Sequence, residues 1–575
     1  MTVIGWLQIA LFALIIGLLT RPFGGYLVRV YAGERTVLRP LLGPLEAALY
    51  RAAGIEPKTE QSWLGYSVAF LIFHAIGTIA LYALLRLQSS LPLNPQHLSE
   101  VSPDLALNSA VSFVTNTSWQ SYAGETTLSY ASQMAGITVQ SFLSAASGMA
   151  VAIAFIRGFA RTRSATIGNF WVDVTRGTLY VLLPVCVVAA LFLMTQGVPQ
   201  TFAPSAEVAT LENGLQIIAR GPVATQEAIK LLSGDGGGFF NANSAHPFEN
   251  PTPLANLAEM VLIFVLGAAL TNCFGRMVGS ERQGWILLGV MAILFGLGVA
   301  GIYALEARGN PAVSALQVDA VANAQRPGGN MEGKEVRFGI AGSALFADVA
   351  TASSDGAVNA MHDSFMPLSG GILLANMMVD EVIVGAPGSG LFGMLLFCVV
   401  AVLMAGLMIG RTPEYVGKKI GSSEIKMTIL ALMSVPAATL GLTAFACVVE
   451  RGLAGLGNAG PHGYSEILYG YTSAAATNGS AFAGLSTNSA FYNLTLALGM
   501  FMGRFLVIIP VLAVAGSLAA QPIIPRSSGT LPTDRALFLG FLLGVIVIVG
   551  GLTYLPALAL GPIVENLQMW AGALH

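Results

Sequence analysis

Long apolar runs alternate with short polar intervals along the whole chain. A helix that crosses a bilayer needs about 20 mostly apolar residues. Ten runs meet that measure, at about 3–20, 64–86, 132–156, 177–195, 254–273, 284–304, 366–410, 427–449, 490–516 and 537–560. The seventh is interrupted by Asp380-Glu381 and by Gly385-Ala-Pro-Gly-Ser-Gly390. A continuous lipid-facing helix does not tolerate such a stretch, so two half-helices around a loop are predicted there.

Four of the polar intervals share one order of elements. Each holds a short amphipathic helix, then a turn rich in small residues or amides, then the next apolar run. The helices are predicted at 104–114, 224–232, 343–351 and 466–474. The turns that follow are Thr115-Asn-Thr-Ser-Trp-Gln120, Ser233-Gly-Asp-Gly-Gly-Gly238, Ala352-Ser-Ser-Asp-Gly-Ala-Val-Asn359 and Thr477-Asn-Gly-Ser-Ala-Phe482. A shared order with little identity is still an internal repeat. The predicted architecture is a single all-α membrane domain over 1–575. It has four helix–pore-loop–helix repeats at 64–156, 177–273, 284–410 and 427–516, with extra helices at 3–20 and 537–560.

Composition agrees with this pattern. Only 10% of residues are charged and the mean hydropathy is +0.70, where soluble domains carry roughly 25% charged residues. A net charge of −3 argues against a nucleic-acid partner. Cys186, Cys273, Cys398 and Cys447 fall in or beside apolar runs without metal-ligand spacing, and read as small buried packers. The first apolar run lacks a small-residue cleavage site and reads as a retained helix. Lys and Arg concentrate in alternate loops, at 21–58, 157–176, 276–282, 411–426 and 526–535. The positive-inside rule makes those loops cytoplasmic and puts both termini outside.

The four turns therefore enter the bilayer from the outer side. Irregular backbone at that depth is tolerated only where protein buries it or where it lines a water-filled path. Small residues also pack helices in membranes, but four turns in equivalent positions point to an ion path. A monovalent cation must exchange its water shell for oxygens, and rings of backbone carbonyls supply them without trapping the ion. The short helices direct their negative C-terminal ends at the turns. Asp235 and Asp355 lie within two turns, as outer-site charges or as backbone caps. Arg504, within the ninth run, is costly there unless it faces a cavity or a partner. It is a candidate for a fixed cation below the turns or for a pair with Asp380 or Glu381. The glycines Gly385, Gly388 and Gly390 mark a candidate gate, and Asp380 and Glu381 a candidate exit. Gln120 and Trp119 line the mouth or anchor the interface, and His246, His362 and His462 are given no role. Walker A, Asp-Lys-Thr-Gly and His-Glu-x-x-His motifs are absent, and no cytoplasmic loop could hold a nucleotide-binding domain. This chain alone is not expected to hydrolyse ATP.

Four stretches carry a resemblance to a known family. They are Ser112-Phe-Val-Thr-Asn-Thr-Ser-Trp-Gln-Ser-Tyr122, Gly234-Asp-Gly-Gly-Gly-Phe-Phe-Asn-Ala-Asn-Ser244, Asp355-Gly-Ala-Val-Asn-Ala-Met361 and Asn478-Gly-Ser-Ala-Phe-Ala-Gly484. With Gly388–Met394, Gly410–Tyr415 and Gly503-Arg-Phe505, they resemble the KdpA family. These are the potassium-binding, translocating subunits of bacterial Kdp pumps, and the likeness runs through the whole chain. The resemblance implies a potassium-uptake subunit of the bacterial inner membrane, in the superfamily of potassium transporters. It implies a P-type ATPase partner, KdpB, with KdpC and KdpF, and potassium as the ion, without an organic cofactor. It also implies an internal tunnel that carries ions from this filter toward the ATPase subunit. By motif position the filter comprises Asn116, Thr117 and Ser118; Gly234, Asp235 and Gly236; Ser354, Asp355 and Gly356; and Thr477, Asn478 and Gly479. Gln120 sits beside it. The carboxylates of Asp235 and Asp355 depart from the family's usual uncharged residues. The competing readings are a self-sufficient channel or symporter of the Trk, Ktr and HKT type, and a non-conducting scaffold.

Overall fold

The structure, a computed structural model, describes residues 1–212, 214–314, 328–379, 382–525 and 529–572. Among these, ten helices are long and apolar enough to cross a membrane. They are Val3–Ala32, Trp63–Ser90, Ser132–Ala160, Phe170–Gln196, Pro253–Met277, Glu281–Glu306, Ser389–Met408, Ser422–Val448, Ala490–Ala520 and Ala536–Trp570. Each falls on a predicted run, but several extend further. The first continues through Pro22 to Ala32 and stops where Gly33, at φ 73°, returns its N–H to Arg29 and Val30. Hydropathy marks where the apolar layer ends; the helix ends where a left-handed residue caps it. The seventh run is broken as expected, into Pro367–Met378 and Ser389–Ile409. Asp380 and Glu381 lie outside the described residues.

Eight long helices form four repeats, each with an outer helix, a short pore helix and an inner helix. The pore helices are Pro103–Val114, Val223–Leu232, Gly339–Ala352 and Gly460–Ala475. The third and fourth begin a turn or more before the predicted starts. The inner helices make the core. In the four inner helices 83, 72, 67 and 67% of the apolar window is buried, against 28, 50, 39 and 39% in the outer ones. The two extra helices, at 28 and 22%, are peripheral. Two small hairpins, Ala206–Ala209 with Leu215–Ile218 and Glu414–Tyr415 with Lys418–Lys419, are the only named strands among the described residues.

Small residues let the inner helices approach one another, as membrane packing requires where lipid offers no hydrophobic drive. A Cβ on Gly158 would lie 2.8 Å from the Ala515 backbone, joining inner helices one and four. At the basic end, Arg157 binds both carboxylate oxygens of Asp173, at 2.6 and 2.9 Å, and Tyr66 donates to Asp173 at 3.1 Å. Removing one partner of such a buried pair costs about 3–5 kcal/mol, so this clamp fixes the first inner helix below the turns.

Candidate functional site: a ring of four turns

Each pore helix ends at its turn in the same way. The carbonyls of Ser112, Lys230, Ala350 and Ser473 accept from the N–H groups of Thr117, Asp235, Asp355 and Asn478, at 2.9, 3.2, 3.0 and 2.8 Å. The separation is five residues every time. The residue before each of those donors is left-handed: Asn116 at φ 60°, Gly234 at 59°, Ser354 at 62° and Thr477 at 54°. Three of these four are not glycine, and a non-glycine residue rarely takes this conformation without a local reason. Here the reason is the turn itself, which reverses the chain at the helix end. Ser118, Gly236 and Gly479 are left-handed again, at 52°, 84° and 100°. The four triplets named from the sequence thus occupy equivalent places in the four repeats.

The turns also close on one another. A Cβ on Gly236 would lie 2.1 Å from the Gly356 nitrogen, and one on Gly356 2.7 Å from the Asn478 oxygen. One on Gly479 would lie 2.0 Å from the Thr117 oxygen, and one on Gly237 2.8 Å from the Ser118 Cβ. Each turn therefore touches the next, and the fourth returns to the first. No side chain fits between these backbones, which explains the glycines by contact rather than by flexibility. The closed ring sits at the negative C-terminal ends of four helices.

The supporting side chains differ from turn to turn. Asn116 donates to the carbonyls of Ser233 and Gly234, both at 3.2 Å, and accepts from Ser144 at 2.8 Å. Gln120 both donates to the Gly238 carbonyl, at 3.0 Å, and accepts from the Gly238 N–H, at 3.1 Å. It therefore clasps the first two turns. Asp355 accepts from the Ala357 N–H at 2.8 Å, which is the capping role. Asp235 is fully buried beside the Ser141 hydroxyl. Trp119 is buried, with its indole N–H on Ser121 at 3.0 Å, so it packs the ring rather than lining a mouth.

The gate candidates lie directly beneath. A Cβ on Gly234 would meet Ala386 at 2.6 Å, and one on Gly267 would meet the Gly385 oxygen at 2.6 Å. Gly388, at φ 123°, approaches the Gly148 oxygen so closely that a Cβ would lie 2.3 Å away. Gly390 is buried in the first turn of the helix that follows. The loop thus wedges between inner helices one and two under the second turn. Under the fourth, a cavity of about 20 Å³ is lined by Ser389, Phe392, Thr477, Gly503 and Arg504. Arg504 faces that cavity and donates to the Ser144 carbonyl at 3.1 Å and the Ser147 hydroxyl at 3.3 Å. These bonds partly satisfy a guanidinium at membrane depth. Asp380 and Glu381, its suggested partners, are outside the described residues.

Sequence reasoning missed the residues that hold the second turn from behind: Glu227, Lys230, Asn243 and Glu249. The spacing of Glu227 and Lys230, one helical turn apart, was the available signal.

A four-repeat bundle with one re-entrant turn per repeat defines the class: a pore-loop membrane protein. Comparison with known proteins narrows it. The profile of KdpA, the potassium-transporting ATPase A subunit, matches residues 10–567. The potassium-transporting ATPase potassium-binding subunit of Methylorubrum populi is 62% identical, over 100% of this chain and 99% of its own length. The protein of that name from Granulibacter bethesdensis is 60% identical, with 100% of both chains covered. The crystal structure of the potassium transporter TrkH from Vibrio parahaemolyticus shares the fold. Its TM-score is 0.51 at 14% identity, over 86% of this chain and 96% of that one. The chain belongs to the KdpA family.

Proposed function

We propose that this chain binds potassium in the ring of four turns and passes it inward as the ion-translocating subunit of an ATP-driven uptake pump. Family membership supports this reading, since the relatives are named as the potassium-binding subunit of a potassium-transporting ATPase. The observation that carries it is the closure of four backbone turns on one another through Gly236, Gly356, Gly479 and Thr117. Such a ring can replace the water shell of a potassium ion with fixed oxygens. The binding residues in this proposal are Asn116, Thr117 and Ser118; Gly234, Asp235 and Gly236; Ser354, Asp355 and Gly356; and Thr477, Asn478 and Gly479. Each triplet acts as the filter of its repeat, with repeats at 64–156, 177–273, 284–410 and 427–516. The buried Asp235 carboxyl, when ionised, needs a compensating charge at that depth, and a bound cation supplies one. Arg504 stands below as a fixed positive charge that limits escape downward, and the loop at Gly385–Gly390 is the gate.

The energy comes from elsewhere. KdpB supplies ATP hydrolysis in this reading, with KdpC and KdpF completing the complex in the bacterial inner membrane. Both termini face outward by the distribution of Lys and Arg, and no organic cofactor takes part. The test is potassium uptake by proteoliposomes holding the chain alone, then the chain with its co-purifying subunits and ATP. Uptake only with subunits and ATP is the expected result. Flux by the chain alone, down a gradient, would instead make it a self-sufficient channel or symporter. Silence in both preparations would leave only a scaffold.

A further inference from the structure

The second turn is held by a device the other three lack. Its pore helix is the one of the four with a basic residue in the last turn, Lys230. The Lys230 ammonium is fully buried and surrounded by oxygen. It lies 3.0 Å from both carboxylate oxygens of Glu227, 2.9 Å from the Ser244 hydroxyl and 2.7 Å from Glu249 Oε2. The other oxygen of Glu249 accepts from the Phe240 N–H at 2.8 Å. Glu259, from the inner helix, is fully buried in the same cluster beside Ser244.

The backbone of Lys230 does a second job. Its carbonyl accepts from both Asp235 N–H and Gly236 N–H, each at 3.2 Å. The segment that its side chain captures does a third. In that segment Asn243, left-handed at φ 55°, donates to the Gly236 carbonyl at 2.7 Å. It also accepts from the Val358 N–H at 3.3 Å, near the end of the third turn. One buried ammonium therefore joins the start of the second filter strand to the loop that grips its end.

We infer that Lys230 is a positioning residue for ion selection: bound to Glu227 and Glu249, it sets the path of Gly234–Gly236 in the ring. The inference rests on the filter reading above. Gly236 packs against the third turn so closely that a Cβ would lie 2.1 Å from the Gly356 nitrogen, so a small shift of this strand opens the ring at that joint. Selectivity depends on the number and placement of the ligating oxygens, and such a shift changes both. An arginine does not substitute, because its planar fork is larger than an ammonium and mismatched to this compact cage.

The test uses the assembled complex and reads potassium-stimulated ATPase activity, rubidium against potassium discrimination, and thermal stability. Lys230→Met is expected to raise the potassium KM at least tenfold and to narrow discrimination, with Vmax within twofold of wild type. Lys230→Met leaves Glu227 and Glu249 buried without their cation, so that variant is at risk of failing to assemble. The triple variant Lys230→Met, Glu227→Gln, Glu249→Gln removes the clamp and leaves Glu259 as the one carboxyl of the cluster, and is expected to show the same KM rise. Asn243→Ala, which loses only the grip on Gly236, should show a smaller rise in the same direction. Wild-type KM and discrimination in an assembled triple variant would overturn the inference. So would a loss of Vmax or stability with KM unmoved, because that is a purely structural role. A wild-type complex without potassium-dependent activity would instead refute the filter reading itself.

Discussion

The second and fourth turns have nearly the same backbone and almost nothing else in common. Both follow a pore helix whose carbonyl is capped five residues on, and both start left-handed, at φ 59° and 54°. Behind the second stands an ionic node of Lys230, Glu227 and Glu249. Behind the fourth stands a neutral chain. There Tyr469 and Ser480 share a hydrogen bond at 2.8 Å, and Ser480 donates to Asn478 at 2.6 Å. Asn478 in turn donates to the Ala350 carbonyl at 3.1 Å, and Ser473 accepts from the Gly479 N–H at 2.9 Å. Beneath the second turn packs Ala386; beneath the fourth lies the cavity that Arg504 faces. What is repeated in this protein is a backbone path, and each repeat secures it with different chemistry. Low identity among the repeats follows directly.

The strongest way to break that comparison is to attack the shared backbone. Gly236→Ala and Gly479→Ala each place a Cβ about where the neighbouring strand already is, at 2.1 and 2.0 Å. Each should lower potassium affinity by a hundredfold or more, by about the same factor, in potassium-stimulated ATPase assays of the complex. A large effect at one site and none at the other would show that the turns are not equivalent. Gly236→Asp should likewise weaken affinity more than it impairs assembly.

Arg504→Gln tests what lies beneath. Turnover should change severalfold while the potassium KM stays within about threefold, because Arg504 sits under the ring and not in it. A KM shift as large as that of Gly479→Ala would put Arg504 among the binding residues. Tyr469→Phe then sharpens the contrast of scaffolds. It removes the hydroxyl's bonds to His362, at 2.9 Å, and to Ser480, at 2.8 Å. The bond that reaches Asn478 is the one to Ser480, a net contribution of about 1 kcal/mol, so KM should rise no more than about fivefold. That is less than the Lys230 variants produce.

The smallest effect concerns a latch at the start of the fourth pore helix. His462 contacts Glu565 at 2.7 Å and Asp363 at 3.1 Å. Burial alone would lower its pKa, but hydrogen bonds to Asp363 and Glu565, with their charges, raise it from 6.5 to about 10. A raised pKa stabilises the folded state fully below 6.5 and loses that contribution as pH climbs through 10. The melting temperature of His462→Gln should therefore fall below wild type at pH 6.5 and converge with it above pH 10. A gap that is constant across this range would remove the charged latch from the account.

Much of this is legible in the sequence. Apolar runs located ten helices because a bilayer imposes one length on all of them. The broken seventh span was legible because Gly385–Gly390 has no place in lipid. The turns announced themselves by glycine and amide content at recurring positions. What could not be read was the means of holding them. The spacing of Lys230 from Glu227 is in the sequence, but only the fold brings Glu249 and Ser244 to it. For Trp119 the sequence leaves open a place lining the mouth or anchoring the interface, yet the ring buries it. His462 carried no pattern at all, for Asp363 and Glu565 reach it from distant parts of the chain.

The central claim is that the closed ring binds potassium. The direct test is a calorimetric potassium titration of the purified protein, with sodium as control, on wild type and on Gly236→Ala of equal thermal stability. The account predicts saturable potassium binding by wild type, none for sodium, and loss of the potassium isotherm in the variant. An unchanged isotherm in Gly236→Ala would place the ion somewhere other than this ring, and the account would fail.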